Sequence, residues 1–460
     1  MATTSLIRTP SSTGNRKTFT FSAWFKRTGL SVIGNLFSQY AGSGSGSDKH
    51  FRVRFNTNDT IGVAAYSTDV LVTNRVFRDT SAWYHLTLAV DTTQATDSNR
   101  VKLYINGTQE TSFSSTNYPS QNFDYAVNTA SYPIRIGADD SDGNGPYGWF
   151  DGLMSHVHLA DGTAYAASTF GSTDSTTGEW KISTSPTFTP GTNGFTILKD
   201  GNTITDQSAN SNNFTLVGGT LTNTEDNPSN CFAVFNRTDR HPGTTNNYGD
   251  YLTYLGTKIT IASAQKGCLR STIGVTSGKY YWEAKVISKS KGFYGVCNST
   301  AFDITSASLQ SATSYSGLWY YENGPNYYTY NNNTNNTSIA SVANNDILGF
   351  ALDMDNYAFY IHKNGTYMNS GSPTSGGSRT GSIAELFTYG RNVLSDKGEV
   401  FVNHFNDSGS GGSTVEYNFG NGYFGVTAIS SEGSNASGIG KFEYDVPAGY
   451  TALSTKGLNE

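Results

Sequence analysis

The sequence predicts an all-β protein made of two antiparallel β-sandwiches, and three observations support this fold class. The chain has 460 residues, of which 50 are Gly, a residue that forms turns readily and helices poorly. Tyr and Phe, which favour strands, number 29 and 26. Charged residues make up only 14% of the chain, against about 25% in an average globular protein. We therefore expect many short strands and turns beneath a neutral surface rich in hydroxyl and amide groups.

Net charge and hydropathy exclude several classes of protein. The net charge is −6 and no basic stripe occurs, which argues against nucleic-acid binding. No apolar run reaches the roughly 18 residues of a membrane helix, so we expect no membrane insertion. The N-terminus lacks the charged-then-apolar pattern of a signal peptide, so we expect folding in the cytoplasm. The cysteines, which we expect to be free thiols rather than disulfide or zinc partners, are Cys231, Cys268 and Cys297.

Short alternating strands recur from Phe19 to about Asp161. The apolar residues of segment 19–26 share one face, because side chains alternate along a strand. Asn106-Gly107 is a strong hairpin signal at the end of another strand. Further strands are predicted over residues 50–55, 60–66, 83–91, 101–105, 133–137 and 148–160. Many short strands separated by turns about every 8–12 residues are typical of a sandwich or barrel.

The stretch that follows, residues 162–250, is rich in Thr, Ser, Gly, Asn and Pro, yet aromatic residues occur in it at intervals. A loose linker would be nearly free of apolar residues. We therefore expect an ordered strap packed on the first sandwich, and then a short linker near 236–250. As domains, residues 1–200 form the first sandwich and residues 201–250 the strap and linker.

A second set of strands follows residue 250. They are predicted over residues 278–286, 292–296, 346–355, 357–362, 400–405 and 413–419. Lys363-Asn364-Gly365 marks the turn of another hairpin. We expect a second antiparallel sandwich over residues 251–420, with residues 421–460 as a C-terminal tail packed on it.

Three signatures of the first half resemble, in their order, a LamG/concanavalin-like jelly roll. They are FTFSAWFK, WYHLTLAVDTTQATDSNRVKLYINGTQ, and IRIGADD followed by WFDGLMSHVHLADGTAY. The resemblance covers residues 1 to about 200 and implies a jelly-roll sandwich.

Four pieces of the second half resemble, again in order, a SPRY domain. They are GKYYWEAKV, FYGVCNS, NDILGFALDMDNYAFYIHKNGTY and NFG. The resemblance covers residues 251 to about 420. It implies two packed antiparallel sheets whose loops bind a partner, without enzymatic activity.

The opening RTPSSTGNRKTFTFSAWFKR and the segment DQSANSNNFT resemble, as a set, LamG-like proteins of tailed bacteriophages and marine viruses. This resemblance implies a non-enzymatic virion surface protein, such as a tail fibre, an appendage or a capsid decoration. Such a protein is made in the host cytoplasm, assembles with other virion proteins, and binds a host-surface glycan or receptor. We expect a homo-oligomer, with a trimer as one form. The alternatives are a secreted or cell-surface lectin and a glycan depolymerase.

The segment from Ser314 to Asn336 concentrates aromatic and amide side chains. Rings give a large contact area, and amides form hydrogen bonds with hydroxyl-rich ligands. We therefore expect ligand binding in this part of the SPRY-like domain. The alternative is that these aromatics pack in the core, because alternate strand residues must point inward. The candidate residues are Trp319, Tyr320, Tyr321, Tyr327, Tyr328, Asn331 and Asn333.

An acidic turn offers the best candidate for a cation site. Ca²⁺ needs several oxygen ligands, and Asp139, Asp140 and Asp142 supply carboxylates. The LamG resemblance implies calcium near such loops, whereas a solvated turn is the alternative; no other cofactor is expected. His156 and His158 share a face of one predicted strand, as a metal pair or as ordinary strand residues.

Glycoside hydrolysis needs two carboxylates about 5–9 Å apart. Asp353 and Asp355 alternate on one strand, but they stand where it enters a turn, and capping of that turn accounts for them. Glu283 has no second carboxylate beside it. We therefore expect no enzymatic activity.

Overall fold

A computed structural model gives the fold, and the chain divides into two compact units. Residues 1–223 and 227–229 form the N-terminal unit, and residues 224–226 and 230–460 the C-terminal unit. The predicted strap is thus shared, with residues 201–223 in the first unit and residues 230–236 in the second. The structure describes residues 3–42, 46–140, 145–236, 251–262, 267–298, 317–322, 326–329, 332–335, 339–385, 387–388, 391–392, 399–406 and 412–459.

The N-terminal unit consists of short strands and two 3₁₀ turns, Asp97–Asn99 and Ala167–Thr169. Its strands are β1 (Ser5–Arg8), β2 (Thr18–Arg27), β3 (Gly34–Tyr40), β4 (His50–Phe55), β5 (Thr60–Ala65), β6 (Thr68–Val76), β7 (Tyr84–Asp91), β8 (Val101–Ile105), β9 (Thr108–Gln109), β10 (Phe113–Thr116), β11 (Ile134–Ile136), β12 (Asp139–Asp140), β13 (Pro146–Tyr147), β14 (Gly152–Asp161), β15 (Gly171–Thr173), β16 (Trp180–Ile182), β17 (Phe195–Ile197) and β18 (Thr215–Val217).

Two large antiparallel sheets enclose the core of this unit. One has the order β10-β6-β5-β4-β3-β11-β1-β18 and the other β17-β14-β2-β7-β8-β9. Inward aromatics from both sheets meet between them, since the ring centroids of Phe21 and Phe37 lie 4.9 Å apart and those of Phe25 and Phe55 lie 5.2 Å apart. The strand β18 pairs with β1 at the edge of the larger sheet, which brings residues 215–217 beside the chain's opening segment.

The C-terminal unit is built in the same way, with 3₁₀ turns at Met368–Ser370, Pro373–Ser378 and Gly457–Asn459. Its strands are β19 (Leu252–Thr253), β20 (Lys258–Ile261), β21 (Gly267–Val275), β22 (Lys279–Ser288), β23 (Gly292–Asn298), β24 (Gly317–Tyr321), β25 (Asn326–Thr329), β26 (Asn332–Asn335), β27 (Ile347–Asp353), β28 (Ala358–Lys363), β29 (Thr366–Tyr367), β30 (Ala384–Glu385), β31 (Phe387–Thr388), β32 (Arg391–Asn392), β33 (Val400–Asn406), β34 (Ser413–Asn418), β35 (Tyr423–Phe424), β36 (Thr427–Ala428) and β37 (Thr451–Ala452).

Two sheets again form the core. One runs β19-β20-β34-β22-β27-β28-β29 and the other β21-β33-β23-β24-β25-β26. The C-terminal segment belongs to this core, because Phe442 and Tyr450 are buried in it and β37 pairs in parallel with β22. Buried Glu283 holds the segment as well, accepting hydrogen bonds from the backbone N–H groups of Glu443 and Tyr444 at 2.9 Å each.

The predicted fold class is confirmed, since the two units are all-β and their large sheets are antiparallel apart from the β22–β37 pair. Alternation located β4 and β8 at their exact bounds. It missed β3, whose residues are nearly all buried and carry no polar face. Within the described ranges, no helix has the length and apolar character needed to cross a membrane.

Candidate ligand-binding cleft

The aromatic residues predicted to bind a ligand begin on β24, and two of them lie in the core. Trp319 and Tyr320 are 3% and 0% exposed. Trp319 Nε1 donates a hydrogen bond to Asn403 Oδ1 at 2.6 Å. Tyr321 is partly exposed, and its ring stacks on Phe293 with centroids 4.7 Å apart. Tyr320 thus packs in the core between the sheets, as the core alternative requires, and Trp319, on the opposite face of the strand, is buried as well.

The remaining candidates follow on the next two strands. Tyr327 and Tyr328 belong to β25, which pairs with β24, and Asn333 belongs to β26, which pairs with β25. The structure describes the backbone of these three residues, whereas their side chains and the whole of Asn331 lie outside the described part. Their role in binding stays a prediction.

Asp139, the first residue of the predicted cation site, is fully buried and surrounded by donors. Its Oδ1 lies 2.7 Å from His50 Nε2. Its Oδ2 accepts hydrogen bonds from Tyr147 OH at 2.7 Å and from Arg52 Nη1 at 3.3 Å. Although burial raises it, the hydrogen bond from His50 and the charge of Arg52 hold the pKa of Asp139 at about 2. A structural ion-pair role accounts for this carboxylate.

Of the other two acidic residues, Asp140 is the one that the structure describes. Asp140 forms an ion pair with Arg135 at 3.0 Å. Asp142 lies outside the described residues. Across the described ranges no group of three or more His, Cys, Asp or Glu side chains could hold a metal ion. Asp139 and Asp140, whose carboxylates are paired within the protein, therefore give no support to calcium binding at this turn.

The carboxylates considered for catalysis are structural. Glu283 and Asp353 are both fully buried. Burial raises the pKa of Glu283 to about 7. Asp353 accepts hydrogen bonds from the backbone and side chain of Asn356, as the turn-capping alternative requires. Asp355 likewise accepts a hydrogen bond from the backbone N–H of Gly278.

The N-terminal unit carries a cleft of about 320 Å³ where β1 meets the segment before β18. One wall is the chain's opening segment and the other is the segment DQSANSNNFT. Hydroxyl and amide groups dominate its lining, with one guanidinium. The lining residues are Ile7, Arg8, Thr9, Ser211, Asn212, Asn213 and Thr215.

Arg8 connects the two walls of this cleft. Its Nη2 donates a hydrogen bond to Asn212 Oδ1, across 204 positions of sequence. Its Nη1 is buried without a hydrogen-bond partner in the described structure. Burial lowers the pKa of Arg8, and the charges of Asp206 and Asp161 counteract that shift. A buried donor without an acceptor costs about 1–3 kcal/mol.

Asp206 shapes the second wall as the hub of its loop. Its Oδ1 accepts hydrogen bonds from the backbone N–H groups of Thr196 and Ser208, both at 2.8 Å. Its Oδ2 accepts from Ser208 Oγ at 2.8 Å and from the backbone N–H of Asn212 at 2.7 Å. Asp and Ser favour such local side-chain-to-backbone bonds, which fix a turn without regular structure.

The side-chain amide of Asn212 is anchored to backbone carbonyls of a neighbouring segment. Its Nδ2 donates to the carbonyls of Gly194 at 2.8 Å and Thr192 at 3.1 Å. Gly194 must be glycine, because a Cβ there would lie 1.9 Å from the carbonyl oxygen of Pro190. The Asn212 amide thus has its NH₂ group committed to the backbone and its oxygen to Arg8, which fixes the guanidinium.

The chemistry of the cleft is that of a hydrogen-bonding site for a polar ligand. Arg8 supplies fixed donors, Asn213 an exposed amide, and Ser211, Thr9 and Thr215 hydroxyls that both donate and accept. Both nearby carboxylates already accept hydrogen bonds, Asp206 four of them and Asp161 three. None of the site residues predicted from the sequence lines this cleft.

A second polar cluster lies on the outer face of the six-stranded sheet. Trp180 Nε1 donates to His85 Nδ1 at 3.1 Å, and His85 Nε2 lies 2.8 Å from Ser22 Oγ. The ring centroids of His156 and His158 are 6.2 Å apart. Burial lowers the pKa of His85 to about 3 and of His156 to about 4, and holds that of His158 well below its usual value. All three imidazoles are neutral near pH 7.

The first resemblance is confirmed by a comparison with protein families. Residues 2–168 match the Laminin_G_3 model, described as the concanavalin A-like lectin/glucanases superfamily. This part of the chain is similar to concanavalin-like domains. It includes Arg8 but not the second wall of the cleft. No curated protein shows significant sequence similarity to the chain.

Solved structures similar to the chain include a SPRY domain and sugar-binding modules. The SPRY domain of human HERC1 is 19% identical, covering 35% of this chain and 87% of that domain, with a TM-score of 0.27. The sialidase CBM40 of Ruminococcus gnavus bound to α2,3-sialyllactose is 17% identical, with coverages of 30% and 75% and a TM-score of 0.22. Domain 4 of the Geobacillus stearothermophilus arabinanase AbnA, in complex with arabinotriose, is 19% identical, with coverages of 34% and 67% and a TM-score of 0.25.

Proposed function

We propose that this protein is a non-enzymatic virion surface protein that binds a host-surface glycan in the Arg8 cleft. The observation that carries the proposal is a preformed polar cleft lined by a fixed guanidinium, amides and hydroxyls. A glycan offers many hydroxyl oxygens and needs no charged partner, which suits this lining. The match of residues 2–168 to a superfamily of lectins and glucanases supports the same ligand class.

A glycan array probed with the full-length chain tests the binding. We expect the wild-type chain to bind a small set of glycans, and Arg8→Gln to lose that binding because it removes the fixed donor. Arg75→Gln is the matched control, since Arg75 is exposed, pairs with Glu110 at 3.1 Å, and does not line the cleft. Binding that Arg8→Gln leaves intact would contradict the location of the site.

The virion part of the proposal has its own test. As a tail fibre, appendage or capsid decoration, the chain would be made in the host cytoplasm and assemble with other virion proteins, as a homo-oligomer such as a trimer. Electron microscopy of virions labelled with an antibody against this chain should place it on the particle surface. Its absence from purified particles would contradict this role and favour the lectin alternative.

Non-enzymatic action is tested by incubating the full-length chain with the glycan that it binds. Because the carboxylates around the cleft are committed to fixed hydrogen bonds, we expect no shortened product in chromatography. Release of product would instead favour the depolymerase alternative.

A further inference from the structure

We infer that the Arg8 cleft selects neutral sugars and discriminates against sugars that carry a carboxylate; this rests on the proposed function and names its ligand class. An arginine in a binding site usually indicates an anionic ligand, because a guanidinium pairs well with carboxylates. The charges around Arg8 point the other way. These charges belong to the residues that line the cleft and to two carboxylates, outside the lining, that act on Arg8.

Arg8 is the one charged residue among the seven that line the cleft. Two carboxylates act on it, those of Asp206 and Asp161, and both counteract the loss of its positive charge. The local charge is therefore one guanidinium against two carboxylates. An acidic ligand would meet a positive charge that is already more than balanced, whereas a neutral hydroxyl would still gain the directional N–H donors.

The two carboxylates cannot move away to make room for an anion. Asp206 and Asp161 are 8% and 7% exposed. Asp161 accepts hydrogen bonds from the backbone N–H groups of Asn15 at 2.7 Å and Asn193 at 2.9 Å, and from Asn128 Nδ2 at 3.0 Å. Asp206 is held by the four bonds of its loop, described above. Both negative charges are consequently fixed parts of the scaffold.

Desolvation adds to this discrimination. A ligand carboxylate entering the cleft loses strong hydration, and burying a charge costs free energy unless a partner compensates it. The free donors near it are limited, because Nη1 of Arg8 is buried, and Nη2 of Arg8 and the NH₂ group of Asn212 already have acceptors. A hydroxyl loses less hydration and can both donate and accept, so it fits a lining of Ser, Thr and Asn side chains.

The experiment titrates the full-length chain with matched sugars by calorimetry or ligand-observed NMR. The neutral probes are the methyl glycosides of glucose and galactose, and their acidic counterparts are the methyl glycosides of glucuronic and galacturonic acid. We expect saturable binding of a neutral probe, at least about tenfold weaker binding of its acidic counterpart, and loss of both with Arg8→Gln. Equal or tighter binding of the acid would overturn the inference while leaving the proposed function in place. If the chain bound none of the four probes, the inference would be overturned. The proposed function would be contradicted separately, by a glycan array on which the chain binds no glycan.

A charge added to the rim tests the electrostatic cause without disturbing the fold. Thr9 is exposed and lines the cleft. In Thr9→Lys the extra cation restores the balance of charge, so we expect the preference for the neutral sugar to shrink several-fold, most clearly at low salt. Thr9→Gln is the uncharged control of similar length and should keep the preference. An unchanged preference in Thr9→Lys would overturn the electrostatic account.

Discussion

In the C-terminal unit, aromatic side chains of β24 lie in the core, whereas in the N-terminal unit a cleft is lined by short polar side chains and one arginine. Trp319 and Tyr320 are nearly inaccessible, and their polar atoms bond within the protein. Arg8 keeps an unsatisfied donor beside hydroxyl and amide groups. A dense aromatic segment therefore indicates a buried strand as readily as a binding surface, and the exposed fraction of each side chain distinguishes the two.

The two units also differ in their buried titratable groups. The N-terminal unit holds three neutral histidines, His85, His156 and His158. The C-terminal unit holds His404 and His362, whose pKa values burial lowers to about 3 and about 4. It also holds Glu283, whose pKa burial raises to about 7. These groups respond to acid in opposite directions.

The largest expected effect is therefore a pH-dependent difference in stability between the units. When burial lowers the folded-state pKa of a histidine, only the unfolded state binds a proton as the pH falls below about 6.5. Each such histidine therefore lowers the free energy of unfolding of its unit by about 2 kcal/mol between pH 7 and pH 5. His85 and His156 together cost the N-terminal unit about 4 kcal/mol, and His158 adds to this loss in the same direction. In the C-terminal unit, the two histidines lower the free energy of unfolding by about 4 kcal/mol. Glu283 raises it by about 2 kcal/mol, because its carboxyl group binds a proton at a higher pH in the folded state than in the unfolded state.

Differential scanning calorimetry of the full-length chain at pH 7 and pH 5 measures this difference. We expect the transition of the N-terminal unit to move down further than that of the C-terminal unit. A larger downward shift of the C-terminal transition would contradict the assignment of neutral histidines to the first unit's sheet.

Removing a core aromatic from the C-terminal unit should have the next largest effect. Trp319→Ala deletes a 3% exposed side chain and leaves Asn403 without its donor, so we expect a loss of about 3–5 kcal/mol in the free energy of unfolding. Denaturant unfolding should show the loss in one transition, which then identifies the C-terminal unit. Weaker glycan binding with unchanged stability would show that Trp319 contacts ligand.

Removing the hub of the cleft loop should act on both stability and binding. Asp206→Ala deprives the backbone N–H groups of Thr196, Ser208 and Asn212 of their acceptor, which should cost about 2 kcal/mol and abolish glycan binding. Unfolding curves and the glycan array measure the two effects. As a control, Asp79→Ala removes an exposed aspartate that caps only its own turn, at Ser81, and should change neither. Normal binding by Asp206→Ala would contradict the loop's part in the site.

The strands could be predicted largely from alternation, whereas the cleft could not. Residues 50–55 alternate because one face of β4 meets the core. β3 was missed because it is buried on both sides, so its pattern carries no contrast. The Arg8–Asn212 contact depends on the pairing of Ile7 with Thr215 in a sheet edge. Such a long-range register leaves no local pattern in the sequence.

A substitution that barely disturbs the fold tests most directly whether the ligand binds in the N-terminal cleft. Calorimetric titration of a glycan selected on the array compares the wild-type chain with Arg8→Gln and with Tyr321→Ala, which alters a partly exposed ring of the C-terminal unit. The account predicts that Arg8→Gln loses binding by at least about tenfold with an unfolding transition changed by less than about 1 kcal/mol, and that Tyr321→Ala binds normally. Loss of binding in Tyr321→Ala together with normal binding in Arg8→Gln would contradict it and place the ligand on the second unit.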